Sequence, residues 1–368
     1  MFNFVIVGAL LLVSKPLFAF VENVTHGYVS CLACHVSPSG GGLLNDYGRS
    51  LSNELMSTWT WEGSEDPLFG AIKNTENLKF GGDARAIQTY FENSQLRQGK
   101  LFGMQRNVEL GLNVGQFWFV GTAGTQGGPE GTPNDGQFLS ERHYVLWSMS
   151  DEIKLRAGKF RLQFGINDPT HTRLTKAPLG FGSNSESYIL EFSKFSEADE
   201  FFVSADFGRV DLPPNRVAEK SVSLGYSKYI SENAKVTGNL LAGESDSRTR
   251  YLIGMNGVLA PIKKTFLIFE LDGQQSSIKG SSQSAKNLVA SSVIFGIEAS
   301  KGVLPYGVGE YLHSDLNDDS TEQSALGAGL KWFPIPHIEF QAEYKKQTNK
   351  SLAASNSDAG WVMFHFYL

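Results

Sequence analysis

From Asn77 to the C-terminus the chain repeats one pattern, and that pattern limits its folds more than any other feature. Segments of roughly ten to fourteen residues alternate apolar and polar side chains, the period of a strand with two different faces. In one early segment Phe80, Gly82, Ala84 and Ala86 alternate with Lys79, Asp83 and Arg85. In a late one Ile338, Phe340, Ala342 and Tyr344 alternate with His337, Glu339, Gln341, Glu343 and Lys345. Sixteen such strands are expected, at 77–92, 103–113, 115–125, 138–149, 152–165, 185–195, 199–210, 219–230, 234–245, 248–260, 264–275, 286–299, 302–313, 322–333, 336–347 and 358–368. Links after even-numbered strands are tight, as at Val114, Ser150-Asp151 and Pro261-Ile262. Links after odd-numbered strands are long and polar, as at 126–137, 166–184, 276–285, 314–321 and 348–357, with a short exception near Asp246. Tight and long links in alternation fit periplasmic turns and extracellular loops. The expected fold class is therefore all-β, a transmembrane antiparallel β-barrel of about 16 strands, its apolar face toward lipid and both chain ends at the periplasmic mouth.

Composition agrees. Of 368 residues 19% are charged and 12% aromatic, with 39 glycines and no mature apolar run of the length a membrane helix needs. A net charge of −6 gives no reason to expect a nucleic-acid partner. The last strand is amphipathic. Val362, Phe364, Phe366 and Leu368 are expected on one face, Trp361, Met363, His365 and Tyr367 on the other.

Ahead of the barrel lie two further units. Residues 1–19 read as a signal peptide: an apolar core at Phe2–Val13, a break at Lys15-Pro16 and a cleavage site after Ala19, with no Lys or Arg before the core. Residues 20–76 hold both cysteines of the chain in Cys31-Leu32-Ala33-Cys34-His35. This is the spacing of covalent haem attachment, in which Cys31 and Cys34 form thioethers with one haem c and His35 is the proximal iron ligand. A disulfide, a redox dithiol or part of a zinc site are the other chemistries open to two such cysteines. Gly40-Gly41-Gly42 allow close backbone approach to a bulky group. Leu44, Tyr47, Leu51 and Leu55 are spaced as one apolar face of a short helix capped by Asn45, with Gly48 weakening its interior. So short a segment has too small a core to stand alone. It is expected to plug the barrel.

A signal peptide, one Cys-x-x-Cys-His in a very short N-terminal segment and a barrel of this size resemble the fused monohaem cytochrome c–porins of bacterial outer membranes. The stretch Val36 to Gly48 resembles a larger group of single-haem barrels. So do Ala157-Gly158-Lys159-Phe160, Phe164-Gly165 and His171-Thr172-Arg173. The resemblance implies an electron-transfer protein of the outer membrane, its best-understood members being iron oxidases that draw electrons from extracellular Fe(II). It implies a periplasmic electron carrier and an extracellular metal or other redox partner, outer-membrane lipid around the barrel, and a homotrimer as one assembly. Metal oxidoreductase chemistry is an extension of that role. Only Cys31, Cys34 and His35 carry the resemblance at residue level.

Candidates for a distal ligand are His171, His365, His337, His26 and Met56. His171 sits on the longest loop, 166–184, with Asp168 and with Arg173, a candidate partner for a haem propionate. Strand parity aims His337 and His365 at the lumen near the periplasmic end. His313 with Asp315, Asp318 and Asp319 lies at the outer rim, either an ordinary solvated acidic loop or a weak cation-gathering site. Three functions compete: electron transfer, a passive-diffusion porin with a structural or plugging haem segment, and a haem-dependent sensor or detoxifying enzyme. No acid–base constellation supports the last.

Overall fold

The computed structural model describes residues 21–128, 136–183, 185–210 and 219–368. The expected signal peptide lies outside them. Seventeen strand segments follow in order: β1 Leu78–Asn93, β2 Arg97–Val114, β3 Phe117–Gln126, β4 Gln137–Leu139, β5 His143–Ser148, β6 Ile153–Arg161, β7 Glu186–Phe195, β8 Asp199–Asp206, β9 Lys220–Ser231, β10 Ala234–Glu244, β11 Arg248–Leu259, β12 Thr265–Ile278, β13 Lys286–Ile297, β14 Val303–His313, β15 Glu322–Trp332, β16 Ile338–Asn349 and β17 Asn356–Tyr367. Both β4 and β5 pair with β3, so they are two pieces of one stave broken at residues 140–142. Every neighbour is antiparallel, and β1 pairs with both β2 and β17, which closes the sheet. The result is a sixteen-stave antiparallel barrel. Among the described residues no helix is long and apolar enough to cross a membrane.

Burial is inverted relative to a water-soluble sheet. On β9 Ser221, Ser223 and Ser227 are buried while Val222, Leu224 and Tyr226 are exposed. On β16 Glu339, Gln341, Glu343 and Lys345 are buried while Phe340 and Tyr344 are exposed. The polar set faces a filled lumen and the apolar set faces outward, as a lipid-embedded barrel requires. β17 follows the same rule: Met363, His365 and Tyr367 are inside, Val362 and Phe364 outside.

The links keep the expected asymmetry. One end has the tight turns 115–116, 149–152, 196–198, 232–233, 260–264, 298–302 and 333–337. The other carries the longer loops, among the described residues 162–183, 279–285, 314–321 and 350–355. Ser245–Ser247 is the short exception at that end, and Ser94–Leu96 is a second, because β2 begins at Arg97 rather than at 103. The expected strand at 152–165 stops at Arg161: Leu162, Phe164 and Ile166 are buried apolar residues that turn into the lumen.

The N-terminal segment forms short turns at Val21–His26 and Cys31–Ala33, then helix α1 at Asp46–Leu51 and a π-helical turn at Ser52–Met56. Asn45 caps α1, its Oδ1 accepting from the Gly48 amide at 2.8 Å. Leu44 and Leu51 pack on Cys34, with Leu55 and Tyr28 beside them. Tyr47 does not join that face and is 42% exposed. The neighbouring Gly48 explains this, because its backbone rests directly on the cysteine turn. A Cβ at Gly48 would lie 2.5 Å from the Cys34 carbonyl oxygen and 2.8 Å from its Cβ. Helix propensity favours alanine over glycine by about 1 kcal/mol, yet Gly48→Ala is expected to destabilise the segment by about 1–3 kcal/mol through overpacking. Limited proteolysis of the folded barrel checks this: the variant is cleaved faster within residues 45–58.

Candidate functional site

The Cys31–His35 stretch is a single tight turn. The amides of Cys34 and His35 both donate to the Cys31 carbonyl, at 3.3 and 3.2 Å, so the two sulfurs and the imidazole project from one turn of backbone. No disulfide joins Cys31 and Cys34. Burial raises the pKa of the Cys31 thiol, which keeps it protonated. His35 Nδ1 lies 3.2 Å from the Gly42 carbonyl oxygen, and Val36 N donates to Leu43 O at 3.0 Å. A carbonyl at Nδ1 selects the tautomer with its proton on that atom and fixes the orientation of the ring. Gly40, Gly41 and Gly42 all have left-handed φ, which brings the chain back over the turn. A Cβ on Gly40 would meet the Cys31 Sγ at 3.1 Å. The donor set thus fits one covalent haem: two thiols and one oriented imidazole on one turn. Among the described residues there is no cluster of His, Cys, Asp and Glu that would hold a bare metal ion, and zinc finds no further ligands there.

The turn is tied to the inner wall of the barrel. Arg156 on β6 donates from Nη1 to Ser37 Oγ at 2.6 Å and from Nη2 to Ser39 Oγ at 2.9 Å, and pairs with Glu191 of β7 at 2.8 Å. Its guanidinium also covers the Phe160 ring at 3.7 Å. Leu43 is buried against Gly81 and Gly111, where a wall side chain would collide with it. Further bonds reach other staves: Glu22 with Lys331 at 2.5 Å, His26 with Glu298 at 3.1 Å, Asp46 with Lys79 at 2.5 Å, and Ser52 with Tyr367 at 2.9 Å. Arg49 donates to the Phe80 carbonyl. The segment is bonded to β1, β6, β15 and β17 and lies across the lumen.

A second element enters from the opposite end. The loop 162–183 turns inward rather than into solvent. Arg173, 2% exposed, pairs with Asp168 at 3.1 Å and forks onto Glu343 at 3.1 and 3.0 Å, with Glu310 at 4.0 Å. Lys176 pairs with Glu270 at 2.7 Å, and the Leu179 carbonyl accepts from Arg250. Asn167 Nδ2 donates to the Ser39 carbonyl at 3.1 Å, joining this loop to the cysteine segment. A small cavity lined by Glu22, Ile166, Asp168, Arg173 and Lys331 separates the two. Burial opposes ionisation of Asp168, but Arg173 and Lys331 hold its carboxyl well below the usual range.

The candidate residues are placed as follows. Arg173 is committed to three carboxylates, which corrects its assignment as a propionate partner. His365 faces the lumen, but Nδ1 contacts Glu339 and Nε2 contacts Asp83, each at 2.8 Å, so both nitrogens are engaged by carboxylates. His26 is engaged by Glu298, and Met56 Sδ accepts from Asn23 Nδ2 at 3.6 Å. His337 sits in a rim turn at φ 70°, its Nε2 2.9 Å from the Asp66 carbonyl and its buried Nδ1 without a hydrogen-bond partner among the described residues. His171 is half-buried on the inward loop. Burial, then the cationic Arg161 and Arg85, depress its pKa and keep the imidazole neutral. The structure therefore assembles Cys31, Cys34 and His35 and leaves the distal candidates on separate walls or turns. His313 lies at the outer end with Nε2 3.2 Å from the Asp318 carbonyl, while Asp315 and Asp318 accept from backbone amides of their own turn. These carboxylates are engaged in shaping their own turn.

Burial also depresses the His337 pKa. The unfolded imidazole then binds a proton more readily than the folded one. Stability rises with pH across the imidazole range and is lost as pH falls below about 6.5. His337→Gln is expected to flatten this part of the profile, measured by unfolding in detergent between pH 5 and 8.

The lumen network was not read from the sequence residue by residue. Its signal was there: Arg156, Glu191, Glu310, Glu343 and Lys345 all stand on strands, and an ionisable residue on an inward face needs a partner. Which residue serves as that partner depends on strand order and register.

No family model and no curated protein matches the chain. Solved structures do. The outer-membrane expressed OmpT of Vibrio cholerae aligns at TM-score 0.61 and 11% identity, over 81% of this chain and 100% of that one. The outer membrane channel DcaP of Acinetobacter baumannii aligns at TM-score 0.62 and 11% identity, over 81% and 99%. An anion-selective porin from Comamonas acidovorans aligns at TM-score 0.62 and 9% identity, over 79% and 99%. At these identities the likeness shows a fold: this chain is a porin-like barrel.

Proposed function

We propose that this chain is an outer-membrane redox barrel: a porin-like shell whose lumen holds one haem c on Cys31, Cys34 and His35, moving electrons between an extracellular donor or acceptor and periplasmic carriers. The observation that supports it is the cysteine turn itself, with His35 oriented by Gly42 and the turn clamped through Ser37 and Ser39 to the buried Arg156–Glu191 pair. A plain diffusion pore has no use for so elaborate an attachment in its lumen. Haem supplies a one-electron centre at that position. The protein's own residues orient the imidazole, exclude bulk water with Leu43, Leu44 and Leu51, and fix the distance from the turn to the wall. The hydrocarbon region is about 30 Å thick, more than one haem spans. A partner must therefore approach the lumen from at least one side. Fe(II) is one extracellular partner of suitable chemistry.

The second reading is a passive-diffusion porin in which the segment is a structural plug. The fold favours it, since the barrel aligns with proteins described as channels and porins. One neighbour is described in a trimer form, and a homotrimer is the assembly we propose on that basis.

Cys31→Ser with Cys34→Ser separates the readings. The redox reading expects covalent haem stain and the visible absorption of the unmodified protein to disappear in the variant. An unmodified protein without covalent haem, purified from a host that matures c-type cytochromes, overturns it. A large open conductance of the haem-loaded barrel in planar bilayers would instead favour the diffusion reading.

A further inference from the structure

Residues 57–70 carry the chain from the lumen to the start of β1, and they do so over the rim rather than beneath it. Thr58 N donates to Phe333 O at 2.8 Å and Trp59 N to Pro334 O at 2.9 Å, so the strap runs along the turn between β15 and β16. Beyond that turn its aromatic side chains reach the outer face of the barrel. Trp59 meets Trp332 edge-on at 6.0 Å, and Trp332 stacks on Phe340 at 5.7 Å. Phe69 contacts Phe366 at 6.5 Å and stacks with Trp61 at 5.7 Å. Trp332, Phe340 and Phe366 point outward by strand parity, on the face the barrel presents to lipid. Yet Trp59 and Trp61 remain 59% and 48% exposed, and Leu68 and Phe69 are exposed beside them. Leu68 and Phe69 both have positive φ, at 52° and 56°. Non-glycine residues rarely adopt that conformation, and here the two strained positions place Phe69 at the rim, edge-on to His337 at 5.2 Å as well as against Phe366.

We infer that the strap is a membrane-interface anchor: Trp59, Trp61, Leu68 and Phe69 extend the barrel's aromatic girdle into the headgroup region of the periplasmic-side leaflet. The surface committed to phospholipid is continuous with the lipid-facing belt, which is the argument for lipid over a soluble partner. Tryptophan prefers this boundary, where an apolar ring meets a wet edge. The anchor would hold the exit of the lumen segment in place, so the segment is fixed both to the wall and to the bilayer. The inference rests on the reading of the barrel as membrane-spanning.

The test uses the full chain refolded into vesicles of phosphatidylethanolamine and phosphatidylglycerol, with either native or brominated acyl chains. Fluorescence of the unmodified protein minus that of W59F/W61F isolates the strap, and W61F alone gives a second isolation. Subtraction of W147F isolates a reference, because Trp147 is stacked on the exposed Phe117 of the outer face. The strap component is expected to be quenched by brominated lipid at least half as strongly as the Trp147 component, and to be protected from aqueous iodide. A strap component quenched by iodide and not by brominated lipid, with Trp147 quenched by lipid, overturns the anchor and leaves the barrel reading standing. Absence of lipid quenching for Trp147 as well overturns the membrane barrel and the anchor together.

Discussion

Arg173→Met is expected to unlock the inward loop and to produce the largest functional change of any single substitution. Arg173 is a cation on the inward loop that meets Asp168, Glu310 and Glu343 together, and it is itself buried. Its removal leaves carboxylates in the lumen facing one another, with Lys345 still on Glu310 and Glu343 and, among the described residues, only the Leu174 amide, 3.1 Å from Glu310, still joining that group to the loop. Breaking a buried pair by deleting one partner costs about 3–5 kcal/mol. The loop is held besides by Lys176–Glu270 and by Arg250 on the Leu179 carbonyl, so the barrel stays folded while residues 166–175 are released. The readout is single-channel conductance. The variant is expected to show open events of larger amplitude and longer duration than the unmodified protein. Unchanged conductance would show that the loop does not limit the lumen. R173M combined with E343Q and D168N should recover part of the lost stability, because it removes the charges left without a counter-ion.

The second large effect is expected at Arg156. The clamp Ser37/Ser39–Arg156–Glu191 ties the residues just after the cysteine turn to the wall, and both charged side chains are at most 2% exposed. Among the described residues, Arg156→Met leaves Glu191 buried beside Ser193 and Ser204, each at 3.4 Å. The expected loss is again about 3–5 kcal/mol, and here it falls on the seating of the cysteine-bearing segment. Protease sensitivity around residues 36–45 is expected to rise, and, on the proposed haem reading, the haem is expected to become more accessible to soluble reductants. Arg156→Met with Glu191→Leu should restore much of the barrel's stability without restoring the bonds to Ser37 and Ser39. The double variant thus separates the wall's need for a neutral interior from the segment's need for an anchor. If R156M leaves both protease sensitivity and reduction rate unchanged, the clamp has no role in seating the segment.

The two ends of the chain differ in how much of this was legible. Alternation in the strands was, because in a barrel each residue's face is set by local parity alone: Phe340 outside and Glu343 inside follow from position in one strand. The tight turns were too, since a short link admits only an antiparallel neighbour. The fate of the loop at 162–183 was not legible. Phe164, Leu179 and Phe181 are apolar enough to bury, but burial against Leu252 or Leu288 requires a wall that only sixteen closed staves supply. The expectation that Arg173 meets a propionate failed for the same reason. Its carboxylate partners Glu310 and Glu343 lie more than a hundred residues downstream.

By itself the sequence determined the close spacing of Cys31, Cys34 and His35, the cap at Asn45 and the inward or outward aim of each strand residue. These depend on spacing along one stretch of backbone, where covalent geometry leaves few choices. Only the tertiary structure decided where that turn sits, that Gly48 must lack a side chain to let α1 rest on Cys34, and that Trp59 and Trp61 emerge on the lipid-facing side of the rim. Those outcomes follow from barrel closure, which brings β1 beside β17 and makes an enclosed lumen. Before closure a lumen-facing charge has water as its partner. After closure it must find one of opposite sign on another stave or on the segment that fills the space.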